Sequence, residues 1–326
     1  MHWLRKDLGQ SVDSIAPASE DASFRRYFRI RIGAFTHIVM DAPPPRENVR
    51  PFLAVAELFR GAGVHTPEIR AAQPELGFVW LSDFGSRPYL GELNPSSAAR
   101  LYGDALDTLE RLQCGIAAET APLPAYDERL LRNELEIFHE WLLRQFLGLE
   151  LSSGETCLWW SVTDTLTGSA LEQPRACVHR DFHSRNLMYL ETGNPGVLDF
   201  QDAVVGPIAY DLVSLLRDCY VAWPEQRVET WMAGYRDRLN QAGMLGGRGV
   251  ENFRRWFDLM GMQRHLKAAG IFTRLLLRDG KPGYLADIPR TLGYVLGVCA
   301  RYPELEGFGG FLEKRVLPAL AGRGVA

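Results

Sequence analysis

The sequence lacks the features that would mark a nucleic-acid-binding or a membrane protein. Positive charge is not in excess, because 36 lysines and arginines face 40 aspartates and glutamates, which gives a net charge of −4. Since the phosphate backbone usually demands a basic surface, we expect no nucleic-acid partner. No apolar run approaches the ~20 residues of a membrane span, and none follows a positive N-terminal flank. We therefore expect no association with a membrane.

Cysteine and lysine are both scarce. The five cysteines are odd in number, scattered and without a C-x-x-C pair, which argues against a disulfide framework or a zinc ribbon. Reduced thiols and the lack of a targeting segment predict a cytoplasmic protein. Lysine occurs only at positions 6, 267, 281 and 314, so most of the basic residues are arginines.

The order of predicted elements indicates a small β-rich part followed by a larger helical one. A chain of 326 residues can form two domains or two lobes, and its 46% hydrophobic content predicts a globular protein. The patterns predict strands over residues 24–32, 35–40, 66–72 and 77–81, with a helix over 49–61. Further helices are predicted over residues 96–112, 127–146, 161–171, 210–220, 225–242, 253–277 and 288–300. The fold class is therefore α+β, with lobes over residues 1–84 and 85–326, and we assume a monomer.

Chemistry concentrates in His179-Arg-Asp-Phe-His-Ser-Arg-Asn186 and in Asp199, which follows a short hairpin. If Leu190 pairs with Val197 across the turn, Asn186 and Asp199 meet at the open end of the hairpin. Their oxygens suit Mg²⁺, which takes one or two protein ligands besides phosphate and water. Asp181 precedes the hairpin, where a carboxylate could accept the proton of an attacking hydroxyl.

Other interpretations of these residues remain open. Asp181 and Asn186 could merely cap turns, because aspartate and asparagine often bond to their own backbone. His179, Asp181 and His183 could instead bind zinc in a metal hydrolase. His179 has a further explanation, since a core histidine can hold a loop from within.

The motif resembles the catalytic loop H-R-D-x-x-x-x-N of kinases, in the branch of aminoglycoside phosphotransferases and choline kinases. This resemblance implies a two-lobed protein-kinase-like fold that uses ATP and Mg²⁺ to phosphorylate a small alcohol. It implies that Asp181 is the catalytic base and that Asn186 and Asp199 bind the metal. The stretch Gly206-Pro207-x-x-Tyr210-Asp211-Leu212 is also similar to the branch, and is expected to pack beneath the catalytic loop.

Other segments narrow the resemblance, among them Asp21-Ala-Ser-Phe-Arg-Arg-Tyr-Phe28 and Gln263-Arg-His-Leu-Lys267. They look like those of bacterial kinases that act on cell-wall amino sugars. The resemblance implies phosphorylation of the 1-hydroxyl of N-acetylmuramate and N-acetylglucosamine in peptidoglycan recycling. A kinase of another small alcohol, such as choline, homoserine or an aminoglycoside, is an alternative, as is a pseudokinase that binds nucleotide and regulates a partner.

The nucleotide contacts are less clear, because the chain has neither the glycine-rich loop nor the strand lysine of protein kinases. We expect Ser23 and nearby backbone N–H groups to cover the phosphates. Arg25, Arg26 or Arg29 would supply the cation, steadied by Glu57, because a guanidinium suits bidentate phosphate contacts. The adenine is expected at the segment that contains Trp80, Ser82 and Asp83, although Trp80 could equally pack in the core.

Contacts with the sugar are the least defined part of the prediction. Charged and polar side chains near the catalytic loop or on later helices are candidates, although most such charges lie on solvated faces. The candidates are His183, Asp202, Arg217, Arg264 and His265.

Overall fold

The computed structural model describes residues 1–20, 24–44 and 46–325. These residues divide into two compact units. Unit 1 consists of the described residues within Met1–Arg111 and Arg185–Asp202, and unit 2 of those within Leu112–Ser184 and Ala203–Ala326. The lobe boundary predicted after residue 84 stays a prediction.

An antiparallel sheet dominates unit 1. Among the described residues it has five strands in the order β1-β2-β3-β5-β4. The strands are β1 Ser14–Glu20, β2 Arg26–Ile32, β3 Phe35–Asp41, β4 Ile69–Gln73 and β5 Phe78–Ser82. The sequence predicted all of them except β1, which contains Pro17 at a register shift, as expected of an edge strand. Trp3, Leu4 and Val12 pack with Ile30 and Val39 on one face of the sheet.

A short hairpin, which carries the predicted metal ligands, also belongs to unit 1. It consists of β7 Leu187–Met188 and β8 Gly196–Val197. Phe200, directly after it, stacks on Phe52 with ring centroids 4.8 Å apart and lies 5.7 Å from the ring of Phe59. Both partners lie on helix α1, Arg50–Gly61, so burial of Phe200 fixes the end of the hairpin on that helix. A short helix α2, Tyr89–Glu92, follows the sheet, and α3 covers Ala98–Gly115.

Helices form most of unit 2. They are α4 Glu128–Ile137, which continues as a π-helical stretch over Phe138–Phe146, α5 Ser153–Leu171, α6 Tyr210–Leu216, α7 Glu225–Gln241, α8 Gly246–Asp279, α9 Ile288–Cys299, α10 Glu306–Phe311 and α11 Leu317–Gly322. Helix α5 begins eight residues before its predicted start, because Ser152 and Glu155 form a capping box. Strands β6 Arg175–Val178 and β9 Val204–Pro207 pair in this unit and lead into and away from the catalytic segment. Long as α8 is, neither it nor another helix of the described ranges is apolar enough to cross a bilayer.

Helices α4 and α8 approach each other closely at Gly270. A Cβ atom at this position would lie 2.4 Å from the backbone oxygen of Ile137. The absence of a side chain at position 270 therefore permits this packing. One helical turn earlier on each helix, Lys267 lies beside Glu134, with Nζ 2.8 Å from Oε1.

Candidate active site

Asp211 holds the backbone of the catalytic loop. It follows β9 at the start of α6, where its buried carboxylate accepts the N–H of His179 at 2.6 Å and that of Arg180 at 3.0 Å. Arg180 has a φ of 78°, a conformation that few non-glycine residues adopt and that these bonds help to maintain. The expectation that the Tyr210-Asp211 stretch supports the loop is confirmed.

Burial raises the pKa of Asp211 to about 7, and the negative charge of Asp181 acts in the same direction. The two hydrogen bonds from the backbone lower the pKa and limit the rise. The carboxyl group therefore titrates near neutral pH, unlike an aspartate in water.

Asp181 lies in a strongly positive environment. Burial disfavours its charged form, but Lys267, and then His183 and Arg264, outweigh this and lower the pKa of Asp181 below its usual range. The ring Nε2 of His183 is 4.0 Å from Oδ1 of the carboxylate. Asp181 is thus ionised at neutral pH and can accept a proton.

Lys267 lies in the Gln263–Lys267 segment that the sequence singled out, but it belongs to a buried network whose effect on Asp181 the sequence did not predict. Its Nζ lies 2.8 Å from Glu134 Oε1 and 3.3 Å from the hydroxyl of Tyr210. Glu134 also accepts hydrogen bonds from Arg180 and from the hydroxyl of Tyr126. Burial alone would lower the pKa of Lys267, but the charge of Glu134 raises it above its usual value, so the lysine stays charged. The scarcity of lysine, which occurs at only four positions, was a further feature of the sequence that could have drawn attention to Lys267.

Asn186 and Asp199 come together at the open end of the β7–β8 hairpin in unit 1. Nδ2 of Asn186 lies 3.4 Å from Oδ2 of Asp199. Asp199 has a φ of 61°, and Gln201 Nε2 donates to its Oδ1 at 2.8 Å. Asp202 is the neighbour of this pair, with its Oδ2 3.5 Å from the same Gln201 nitrogen.

The register that led to this prediction was wrong, although the proximity it predicted is found. Leu187, not Leu190, pairs with Val197. The reason is Asn194, which accepts the N–H of Leu190 at 3.0 Å and donates to Asp104 at 2.7 Å and to Tyr89 at 2.6 Å. These bonds hold the connection as a wide loop, so the strands pair only near its base.

The oxygens of Asn186 and Asp199 fit the requirements of Mg²⁺, which prefers hard oxygen donors and needs few from the protein. Asp199 is exposed and Asn186 is half-buried, so phosphate and water can complete the coordination. The described residues contain no group of three or more histidines, cysteines, aspartates and glutamates arranged to hold a metal.

A cavity of about 460 Å³ lies within unit 1 at the end of β5. This is within the range of small-ligand sites, about 300–1,000 Å³. Its wall includes Ser82 and Asp83, as well as Phe84 and the hairpin residue Leu190. Trp80, which was also predicted at the adenine, packs against the core of Trp3 and its neighbours.

The three arginines predicted to meet the phosphates each have a carboxylate partner. Arg29 makes a bidentate pair with Asp83, at 2.6 Å and 2.9 Å. Arg26 pairs with Asp41, and Arg25 with Glu47 at 3.2 Å. Any of them would have to exchange a carboxylate for a phosphate, so the phosphate cation stays a prediction. Ser23 lies outside the described residues.

Arg217 and His265, two of the predicted sugar contacts, lie in the interior of unit 2. Arg217 is 4% exposed and pairs with Asp258 at 2.9 Å and with Glu225 at 2.7 Å. His265 is fully buried, and its Nε2 lies 2.8 Å from the backbone oxygen of Arg217. Burial and the charge of Arg264 lower the pKa of His265 to about 3, so it is neutral. Both side chains serve the packing of α6 against α8.

Arg264 and His183 lie closer to the chemistry. Arg264 is almost buried, with Nη1 3.5 Å from Cys219 Sγ, and its positive charge acts on Asp181. The ring of His183 meets the ring of Tyr220 edge-on, with centroids 5.4 Å apart. Tyr220 is followed by Phe272 at 6.1 Å, and Phe272 stacks on Tyr284 at 5.7 Å. A row of rings therefore leads away from the catalytic loop.

Comparison with known proteins agrees with this chemistry. Residues 14–249 match the phosphotransferase enzyme family. An N-acetylmuramate/N-acetylglucosamine kinase from Pseudomonas aeruginosa is 50% identical over 298 residues, which cover 91% of this chain and 87% of that protein. A kinase of the same name from Neisseria meningitidis serogroup B is 42% identical over 309 residues, covering 93% of this chain and 91% of the relative. The resemblance predicted from the sequence is confirmed.

Solved structures show the fold. Choline kinase LicA from Streptococcus pneumoniae superposes with a TM-score of 0.65 at 12% identity, covering 92% of this chain and 98% of the kinase. A thermostable mutant of an aminoglycoside phosphotransferase gives a TM-score of 0.60 at 15% identity, with 91% and 97% of the two chains covered. The predicted α+β, protein-kinase-like fold is confirmed.

Proposed function

This chain belongs to the phosphotransferase enzyme family, and from that premise we propose that it transfers the γ-phosphoryl group of ATP to the anomeric hydroxyl of N-acetylmuramate or N-acetylglucosamine. The acceptor is proposed from the relatives of 42–50% identity that carry the name of this activity. We place the reaction in the cytoplasm, as part of peptidoglycan recycling, and assume that the enzyme acts as a monomer.

The observation that carries the proposal is the ionised Asp181, kept charged by Lys267, His183 and Arg264. Its carboxylate would accept the proton of the sugar hydroxyl as the hydroxyl oxygen forms a bond to the γ-phosphorus. The bond between that phosphorus and the bridging oxygen breaks at the same time, and ADP leaves. Positioning of the two substrates then supplies much of the rate.

The nucleotide would occupy the groups that unit 1 supplies. Its base would bind in the cavity lined by Ser82 and Asp83, where Arg29 holds the Asp83 carboxylate. Asn186 and Asp199 would hold Mg²⁺, which when bound neutralises charge on the phosphates. Gln201 keeps the Asp199 carboxylate in place by its hydrogen bond.

An acceptor panel tests this function. ATP consumption would be followed with N-acetylmuramate, N-acetylglucosamine, choline, homoserine and an aminoglycoside, each at the same concentration. We expect turnover with the two amino sugars, and a phosphorus NMR signal of the product that couples to the sugar H1. If the phosphorus signal couples to other sugar protons instead, the enzyme phosphorylates a hydroxyl other than the anomeric one. Binding of Mg-ATP without turnover of any acceptor would contradict the proposal and favour a pseudokinase.

A further inference from the structure

Arg274 on α8 is a half-buried cation without a counter-ion among the residues that the structure describes. Its Nε is buried and has no hydrogen-bond partner. Burial lowers the pKa of Arg274, and the charge of Arg278 lowers it further, while Asp279 only partly compensates. A partly desolvated guanidinium without a partner lowers the stability of the fold, and an anionic ligand would supply the missing partner.

Periodicity places Arg274 on the face of α8 that leads away from Asp181. Lys267, Ile271 and Arg274 are spaced i, i+4, i+7, which puts them on one stripe of the helix. Lys267 is the cation with the largest effect on Asp181. The rise of a helix puts Arg274 about 10 Å further along the axis than Lys267. A monosaccharide whose hydroxyl lies at Asp181 and whose charged side arm points along α8 can meet the arginine side chain across this distance.

The adjacent side of the same helix offers an apolar surface. Phe272 lies next to Ile271 in the sequence and continues the row of rings that begins at His183 and Tyr220 and ends at Tyr284. Tyr220 and Tyr284 are only partly buried. The region beyond Asp181 thus combines rings with a cation that lacks an acceptor, which suits an acceptor molecule with an apolar ring face and one acidic group.

We infer that Arg274 binds the carboxylate of an acidic amino-sugar acceptor, and so distinguishes N-acetylmuramate from N-acetylglucosamine. This inference rests on the proposed function. The two sugars share the ring, the N-acetyl group and the anomeric hydroxyl, but only N-acetylmuramate carries a lactyl carboxylate. A guanidinium binds a carboxylate through two parallel hydrogen bonds, which gives geometric selection as well as affinity.

The test compares both sugars on Arg274→Gln, Arg274→Lys and a control. Hydrogen bonds to charged groups contribute about 1.5–3 kcal/mol, so Arg274→Gln should lower kcat/KM for N-acetylmuramate by about 10- to 100-fold, mainly through KM. Activity on N-acetylglucosamine should be unchanged. Arg274→Lys keeps the charge but not the fork, and should recover part of the loss. The control is Arg278→Gln, which removes a charge from the same helix at a residue already paired with Asp279 at 2.8 Å, and it should affect neither sugar.

Two further measurements help to decide the outcome. N-acetylmuramate with its carboxyl converted to an amide should behave in the wild-type enzyme as the free acid does in Arg274→Gln. Thermal melting of Arg274→Gln should show no loss of stability, because the change removes an uncompensated cation. Equal losses for both sugars, or no loss for N-acetylmuramate, in an active enzyme would overturn this inference alone. A wild-type enzyme that phosphorylates neither sugar would instead overturn the proposed function, and this inference with it.

Discussion

Replacing Asp211 with asparagine should remove a pH dependence that this carboxyl imposes on both stability and catalysis. Asp211 is buried and holds the backbone N–H groups of His179 and Arg180. Asparagine has nearly the same shape, but it cannot ionise and presents only one oxygen. One of the two N–H groups would therefore lose its acceptor, next to the residue that accepts the proton.

The pKa of Asp211 fixes both the size and the sign of the effect. The rise from the usual 3.8 to about 7 corresponds to about 4 kcal/mol at 1.36 kcal/mol per pKa unit. Because the folded-state pKa is raised, the contribution of this carboxyl to the free energy of unfolding is full below pH 3.8 and is lost as the pH rises through about 7. The turnover rate should change in the opposite direction and increase with pH, because only the ionised carboxylate offers free acceptors to both N–H groups.

We therefore expect kcat of the wild-type enzyme to rise through about pH 7. Asp181 cannot cause this ascending limb of the pH profile, because its pKa lies below its usual range and it is already ionised. In Asp211→Asn the limb should vanish, and kcat should fall by about 10²-fold, as expected when a catalytic group is displaced by about 1 Å.

The assay combines pH profiles of kcat with denaturant unfolding over the same pH values. Asp237→Asn is the matched control, because it removes the same charge from an exposed side chain of α7. Relative to Asp211→Asn, the wild-type free energy of unfolding should decrease by up to about 4 kcal/mol as the pH rises from 3.8 to about 7, where the unfolded chain is ionised at this position and the folded protein is not. An Asp211→Asn enzyme that keeps the limb near neutral pH would refute this reasoning.

Other variants test the remaining parts of the site. Asp181→Asn should keep nucleotide binding in a calorimetric titration but lower kcat by a factor on the order of 10² or more; normal turnover would exclude Asp181 as the base. Asp199→Ala should abolish the binding of Mg-ATP in the same titration, and unchanged affinity would place the metal elsewhere. Asp258→Ala should lower the free energy of unfolding by about 3–5 kcal/mol, because it removes the fully buried partner of Arg217 and leaves that guanidinium only the half-exposed Glu225. A melting temperature equal to that of the wild type would contradict this.

The sequence predicted the parts of the site that depend on local order. Asn186 and Asp199 flank a hairpin, so the chain itself brings them near each other, even though the predicted pairing of Leu190 was wrong. Asp211 could be assigned a supporting role because its motif resembles the stretch that packs beneath the catalytic loop in aminoglycoside phosphotransferases and choline kinases. The β-rich runs predicted over residues 24–32 and 35–40 are likewise found as β2 and β3, which pair on either side of Gly33.

The parts that depend on distant packing could not be predicted. Lys267 and Glu134 are far apart in the chain, and their meeting is a consequence of how α4 and α8 pack. Arg217 and His265 have the residue types of ligand contacts, and nothing in their local pattern indicates burial. Strand β1 lacks the apolar alternation of its neighbours and could not be predicted from it. The strand is held at the edge of the sheet by its backbone pairing with β2, which does not require a particular side-chain pattern.

Gly270 connects helix packing with proton transfer. Gly270 contacts the backbone of Ile137, and one turn earlier on the same two helices Lys267 pairs with Glu134. The position of the lysine is therefore determined by the close approach of the helices at Gly270. Any side chain there would wedge the helices apart and move a positive charge away from the carboxylate that depends on it. Attempts to evolve new acceptor specificity along α8 can therefore vary its accessible stripe freely only while this glycine is retained.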